Sequence, residues 1–346
     1  MRKTRSPRSA AAAALIAASL LLAACGGDGD DTDVATSPTS ATDDGATETT
    51  GADAGSGTVT VEHAFGSTEV VGVPERIVSL DPQFTDALLA VGVAPAAFVS
   101  SDTYVEGGIF PWQEGLDIGL AEATKIPYDG VTYDNQDVFN AEPDLIVGSY
   151  SIEDQERFDA LSSIAPTIGA VDPDRQVQRW QDLVVLAGQI TGQDDVAAQV
   201  IADAEADLAE RAEGLPGLDG KTYTFVNYVP GDALYVVADP EDGASEAFAA
   251  LGLTINPEAL AAADGVTGRA KLSLEQVDLL DSDMIIILAN GGDPNDLIGW
   301  DALTAVQNDA VVEVDFVMAT ALNQPSSLSL PWALDELGDT LANAAG

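Results

Sequence analysis

Histidine and cysteine each occur once in the 346 residues, as His63 and Cys25, and Lys and Arg together number 13 against 58 Asp and Glu. A single cysteine excludes a disulfide within the chain. A lone histidine leaves serine-type triads and His/Cys zinc sites without their parts. The shortage of cations argues against nucleic acid and anionic lipid headgroups as partners, because both are held by clustered Lys and Arg. A phosphate-cradling loop is also missing. The stretch Gly217, Leu218, Asp219, Gly220, Lys221, Thr222 has Leu215 where the motif requires glycine, and it precedes a strand pattern instead of following one. Asp239, Glu241 and Asp242 do not match the spacing of an EF-hand loop. Carboxylate pairs carry no information in so acidic a chain. No catalytic residue, cofactor or protein-bound metal is therefore expected.

What is present begins with a targeting segment. Arg2, Lys3, Arg5 and Arg8 precede an apolar run from Ala10 to Ala24, too short for a comfortable membrane span. The run ends in Leu22, Ala23, Ala24, Cys25, Gly26, which resembles a bacterial lipobox, whose cysteine is diacylated and becomes the mature N-terminus. Two acyl chains on Cys25 give stable anchoring outside the cytoplasm without a spanning helix. Residues 26–57 are built of Gly, Ala, Asp, Glu, Thr and Ser with no aromatic residue, the composition of a solvated tether with a reach of about 30 Å. Removal of residues 1–24 leaves nine cations against 58 acids, a formal charge of −49. Such a surface fits adaptation to high salt, where repulsion is screened.

The remaining residues, about 290, suffice for two domains with cores of their own. Thr58–Val61 and Glu69–Val71 alternate like the strands of a hairpin around Gly66. Strand patterns follow at 76–80, 96–100, 144–148 and 167–171, with helices over 86–90, 136–140 and 176–190. From Ser101 to Asp134 the pattern dissolves into a long loop region with Tyr104, Phe110, Trp112, Tyr128 and Tyr133 among glycines and prolines, the kind of segment that carries function. Asp195–Glu213 then repeats Val196, Val200, Ile201, Ala204 and Leu208 at spacings of three and four, capped by Asp194 or Asp195 and stopped by Gly214 and Pro216. At 1.5 Å per residue it predicts a strut of about 28 Å. Beyond it the order recurs: a strand over 222–228, helices over 245–251 and 274–280, and strands over 283–288 and 311–314. The segments AEPDLIVGS and LSLEQVDLLDSDMIIIL echo each other across the strut. Strands alternating with helices predict an α/β fold of parallel sheets flanked by helices, with ligands beyond the carboxyl ends of the strands.

PERIVSLDPQFTDALLAVGVAP, NAEPDLIVGSY, LSLEQVDLLDSDMIIIL, WDALTAVQNDAVVEVD and SLPWALDELGDTL resemble, in order and spacing, the solute-binding lipoproteins of bacterial ABC importers for ferric siderophores, haem and cobalamin. The opening VEHAFGSTEVVGVPERIV is most similar to the siderophore branch. The resemblance implies two α/β lobes (58–193 and 215–346) bridged by one long rigid helix (194–214), with the ligand cleft between the lobes. It implies a monomer that captures a ferric siderophore and delivers it to ABC permease subunits. Iron would be wrapped by the siderophore, with no direct protein ligand. Haem or cobalamin would suit the same fold, and a surface interaction protein without a small ligand is a reading from another class. The single histidine weighs against the zinc and manganese importers, which ligate through several.

Candidate cleft residues sit at predicted strand ends and in the aromatic loop. Tyr150 matches a position where family members set an aromatic against the siderophore, and Arg269 lies at a loop that lines the family's cleft. Trp112, Tyr104, Tyr128, Tyr228 and Phe316 are further candidates, whereas Trp180 and Trp300 read as packing residues. Members present a glutamate on each lobe to the permease. Glu275 fits the second, while Gln136 stands where the first is often found and Asp137 is its neighbour. Of the mature cations, the others fall in or beside helices and strands, leaving Arg269, Lys271 and Lys125 for the cleft. So few cations cannot hold a ferric tricatecholate, whose charge is about −3, because an anion desolvated without partners costs several kcal/mol. A neutral or cationic ferric hydroxamate is expected, held by aromatic packing and by Arg269.

Overall fold

The computed structural model describes residues 57–102, 105–129, 132–175, 177–262 and 268–346. Cys25, the apolar leader, the acidic tether and Tyr104 lie outside the described residues. The first element is the expected hairpin, β1 (Thr58–His63) and β2 (Gly66–Val71), antiparallel with His63 opposite Gly66. Gly66 has φ +121°, a left-handed value that favours glycine at the turn.

Five strands follow in one parallel sheet ordered β5-β4-β3-β6-β7: β3 (Ile77–Ser79), β4 (Ala97–Ser100), β5 (Thr124–Pro127), β6 (Leu145–Val147) and β7 (Thr167–Ile168). Both β3 and β6 are buried throughout, as strands covered on both faces must be. Helices α1 (Pro82–Ala90), α2 (Asn135–Asn140), α3 (Gln155–Ser162) and α4 (Trp180–Thr191) belong to this half. Asp81 starts α1: its Oδ1 accepts from the Phe84 amide at 2.8 Å, with Pro82 in the first turn. The region 101–134 is less irregular than its sequence suggests. It holds β5 and three short 3-10 turns, at Glu106–Gly108, Pro111–Gln113 and Leu120–Glu122.

The strut is α5 (Asp194–Gly214). It leaves α4 through a tight turn in which Gly192 has φ +68° and the Gln193 amide donates to Gly188 O at 2.8 Å. A Cβ on Gly188 would sit 2.6 Å from that of Ala197, so glycine there lets α4 and α5 approach closely. Leu208 and Ala197 are its buried residues, with Val200, Ile201 and Ala204 partly buried against the core. Val196, expected on the apolar face, is 40% exposed. No side chain caps the helix start; Asp194 and Asp195 lie within its first turn, where their charge favours the dipole.

The second sheet is ordered β11-β9-β8-β12-β13: β8 (Thr222–Val229), β9 (Ala233–Val237), β11 (Arg269–Leu272), β12 (Met284–Leu288) and β13 (Val311–Val314), with β10 (Thr254–Ile255) beside the start of β8. It departs from the all-parallel expectation. β9 runs antiparallel to β8, and β11 antiparallel to β9, because a three-residue turn after Val229 sends the chain straight back. Around it lie α6 (Gly243–Ala250), α7 (Pro257–Ala262), α8 (Thr304–Gln307), α9 (Phe316–Asn323), α10 (Ser329–Glu336) and α11 (Gly338–Ala345). The helix predicted over 274–280 is a turn followed by the 3-10 segment Val277–Leu280. A single apolar cluster runs through both halves, from Val61 and Phe84 by way of Trp180 and Leu208 to Ile286, Trp300 and Leu341. Trp180 and Trp300 are packing residues, as expected. At about 2–5 kcal/mol for each buried Leu or Ile truncated to Ala, this shared core fixes one half against the other.

Candidate functional site

The carboxyl ends of both sheets meet at one cavity of about 310 Å³. The first half contributes Ser100 at the end of β4 and Ser101 after it, Tyr128 after β5 and Tyr150 just past β6. The second contributes Asn227 of β8, Leu288 of β12, and Phe316, Thr320 and Asn323 of α9 with Gln324 behind it. Phe98, Val105 and Phe110 add apolar surface, and Gln113 lies beside them. Every described residue of the lining is uncharged, in a chain with 58 acids.

Tyr150 is set in place by the cap of α1. Asp81, fully buried, accepts through Oδ2 from the amide and hydroxyl of Ser149, at 2.6 and 2.9 Å. Burial pushes the Tyr150 phenol well above its ordinary value; Asp81 and Tyr128 add to the rise, and a hydrogen bond with Gln324 offsets part of it. The phenol is therefore a neutral hydroxyl. Tyr128 and Phe316 also line the cavity, the latter 37% exposed.

Trp112, Tyr228 and Arg269 stand behind the wall. The Trp112 indole donates to Asp86 Oδ2 at 2.8 Å, and its rings stack on Phe110 at 4.5 Å, so Phe110 is the aromatic face presented to the cavity. Tyr228 is buried in β8. Arg269 does not reach the lining. Its Nη2 donates to Asn323 Oδ1 at 2.8 Å and Nη1 to Gly268 O at 2.8 Å, while Asp242 Oδ2 lies 3.8 Å away. It thereby holds Asn323, which does line the cavity. Desolvation lowers the Arg269 pKa and raises that of Asp242, which together mark a weak, buried pair. The other two candidate cations are also committed: Lys125 donates to Gly107 O, and Lys271 pairs with Asp232 at 2.9 Å and sits over the Tyr235 ring.

Sequence reasoning missed Phe110, Gln113, Asn227, Asn323 and Gln324. The first two flank a tryptophan it did single out, and nothing in PWQ tells which side of a 3-10 turn faces inward. Among the described residues, the buried Oε1 of Gln324 and Oγ of Ser101 have no hydrogen-bond partner, leaving an acceptor and a hydroxyl at the cavity. With Gln113, Asn227, Asn323 and the Tyr150 hydroxyl, the site offers neutral hydrogen-bonding groups amid aromatic surface, and no metal-ligand cluster occurs among the described residues.

Glu275 is exposed in the turn leaving β11, at the same end of the second sheet as the carboxyl end of β8, since Leu272 pairs with Leu234 and Leu234 with Tyr228. Asp137 is half-buried on α2 beside an open depression shared with Tyr133 and Arg157, and Gln136 is exposed, donating to Asn140 Oδ1 at 3.0 Å.

Comparison with known proteins joins this geometry to a family. Among curated proteins, the chain is 28% identical over 188 residues to one from Bacillus subtilis (strain 168) named Probable siderophore-binding lipoprotein YfiY; the match spans 54% of each chain, about half the length of that relative. Among solved structures, PiaA of Streptococcus pneumoniae TIGR4 in complex with ferrichrome superposes with a TM-score of 0.69 at 23% identity, covering 83% of this chain and 98% of that one. Staphylococcus aureus SirA complexed with staphyloferrin B gives 0.67 at 24%, covering 82% and 98%. These two share the fold: two α/β lobes with a long helix between them, the place α5 takes here. The family model described as periplasmic binding protein matches residues 77–318, from the first strand of the parallel sheet into α9, and the chain belongs to that family.

Proposed function

We propose that this protein is an extracytoplasmic, lipid-anchored binding protein that captures a ferric siderophore in the cleft between its lobes and hands it to an ABC importer. The observation that carries this reading is the cavity at the carboxyl ends of both sheets, walled by Tyr128, Tyr150, Phe110 and Phe316 with neutral amides between them. Such a wall suits a bulky complex whose metal is already wrapped. The relative named as a siderophore-binding lipoprotein and the ferrichrome and staphyloferrin B complexes support the ligand class. The uncharged lining favours a neutral or cationic hydroxamate over a tricatecholate, since no cation lies in it among the described residues to meet an anion. Recognition would rest on the amides and the Tyr150 hydroxyl, with Arg269 acting through Asn323. The role is binding, not catalysis. Cys25 would carry the anchor, the protein would act as a monomer, and Glu275 and Asp137 would face the permease.

Haem is the weaker alternative. Iron ligation by Tyr150 needs a phenolate, and burial disfavours that form. Native mass spectrometry of the purified protein after exposure to a mixture of ferric siderophores, haem and cobalamin checks the reading. A single iron-bearing siderophore adduct is expected; retention of haem or cobalamin, or of nothing, would contradict it.

A further inference from the structure

Asp86 lies in the middle of α1, 1% exposed, and accepts three hydrogen bonds from two directions. Gln113 Nε2 reaches Oδ1 at 2.6 Å, and Trp112 Nε1 reaches Oδ2 at 2.8 Å, both from the loop that supplies one wall of the cleft. Ser326 Oγ donates to Oδ2 at 2.6 Å from the segment just after α9, which supplies the other wall. Gln113 in turn receives the Phe110 amide on its Oε1 at 3.1 Å, so the aromatic face of the cleft hangs on the same carboxylate. Ser326 Oγ accepts from the Ser329 amide at 2.9 Å, tying it to the start of α10. Three residues earlier on α1, Gln83 Nε2 bridges Gln178 O and Pro325 O, a second polar tie between the halves. We propose that Asp86 is a positioning residue that couples the two walls of the cleft, and that its protonation state sets how firmly they are held in register.

The charged group bearing on Asp86 is Asp81, the cap of the same helix; no cation pairs with Asp86 among the described residues, and the described parts of the loop and of the segment before α10 offer it the neutral donors named above. Burial raises its pKa to about 6, more than the three donors and the ordinary carboxylate preference can hold down. The sign follows. A carboxyl whose pKa is higher in the joined state than when hydrated binds its proton more tightly there, so acidification from pH 7 toward 5 favours the joined walls, and the advantage is lost as the pH rises through about 6. A buried clasp of this kind makes wall closure respond to pH, and hence binding at the cleft.

Intrinsic fluorescence of the ligand-free protein tests this without relying on the proposed ligand, because Trp112 donates directly to Asp86. His63 also titrates in the acid-to-neutral range, its pKa lowered by burial, but it packs on Phe65 and Phe158, so the comparison is between variants. Wild type is expected to show an emission transition with a midpoint near pH 6 that Asp86→Asn lacks. Ser326→Ala, which removes one donor and no charge, should raise the midpoint, and it serves if Asp86→Asn does not fold. With ferrioxamine B as probe, wild-type affinity should tighten about threefold or more from pH 7 to 5 while Asp86→Asn stays flat. An Asp86→Asn protein that keeps the wild-type transition, or a Ser326→Ala midpoint that does not move, would overturn the proposal. Loss of ferrioxamine binding with the fluorescence pattern intact would count against the ligand assignment alone.

Discussion

The outside of this molecule and the inside of its cleft are built from opposite chemistries. The sequence sets 13 cations against 58 acids, yet the described cleft lining contains neither sign. The contrast is maintained actively. The three cations expected at the cleft are each bonded elsewhere, Arg269 to Asn323, Lys271 to Asp232 and Lys125 to Gly107. Charge on the surface serves solubility and is screened by salt beyond about 8–10 Å, whereas charge in the cleft would need a desolvated partner. On the proposed reading, the difference teaches that selectivity would come from exclusion of charge as well as from the groups present.

Placing one charge inside should break the contrast most sharply. Gln324→Glu keeps the shape of the wall but sets a carboxylate beside Tyr150, and ferric hydroxamate affinity should fall about 100-fold, near 3 kcal/mol, by isothermal titration calorimetry. Little change would mean that the cleft tolerates charge. Truncation of the aromatic wall comes next: Tyr150→Ala should cost about 1.5–3 kcal/mol of affinity, while Tyr150→Phe, which removes only the hydroxyl, should cost about 1 kcal/mol. Equal losses in the two would assign the contribution to the hydroxyl.

A smaller effect is expected at Arg269. Since its guanidinium holds Asn323 from behind, Arg269→Ala should lower thermal stability by about 1–2 kcal/mol, by leaving Asp242 buried without its cation, and weaken binding by less than about 1 kcal/mol. A binding loss exceeding the stability loss would return Arg269 to direct contact. The smallest effect on binding belongs to the outer surface. Glu275→Arg should leave ligand affinity unchanged in the purified protein while reducing uptake in cells; a weakened purified variant would place Glu275 in the ligand site instead.

Much of the frame was legible because its signals are local and redundant. LIV in β6 and MIIIL in β12 are continuous apolar runs that only doubly covered strands tolerate, and the α5 periodicity is long enough to survive one misjudged residue, Val196. The strands β9 and β11 were not legible: ALYVV follows its neighbour after three residues, and RAKL is four residues with two charges. Helix α9, FVMATALN, has no polar face to give it a period, yet it supplies much of one cleft wall. The cleft was therefore half visible. A strand end pointed to Tyr150 and the aromatic loop to Tyr128, but Arg269 shows the limit, for its place near the cleft could be read from order while the competing partners Asn323 and Asp242 lie 54 residues ahead and 27 behind in the chain.

The central claim, that an uncharged cleft selects an uncharged or cationic iron complex, is tested most directly by titrating tryptophan fluorescence with ferrioxamine B and with a ferric tricatecholate at the same moderate salt. The hydroxamate is expected to bind at least about ten times more tightly, a difference of roughly 1.4 kcal/mol. Equal affinity, or tighter binding of the tricatecholate, would contradict the account.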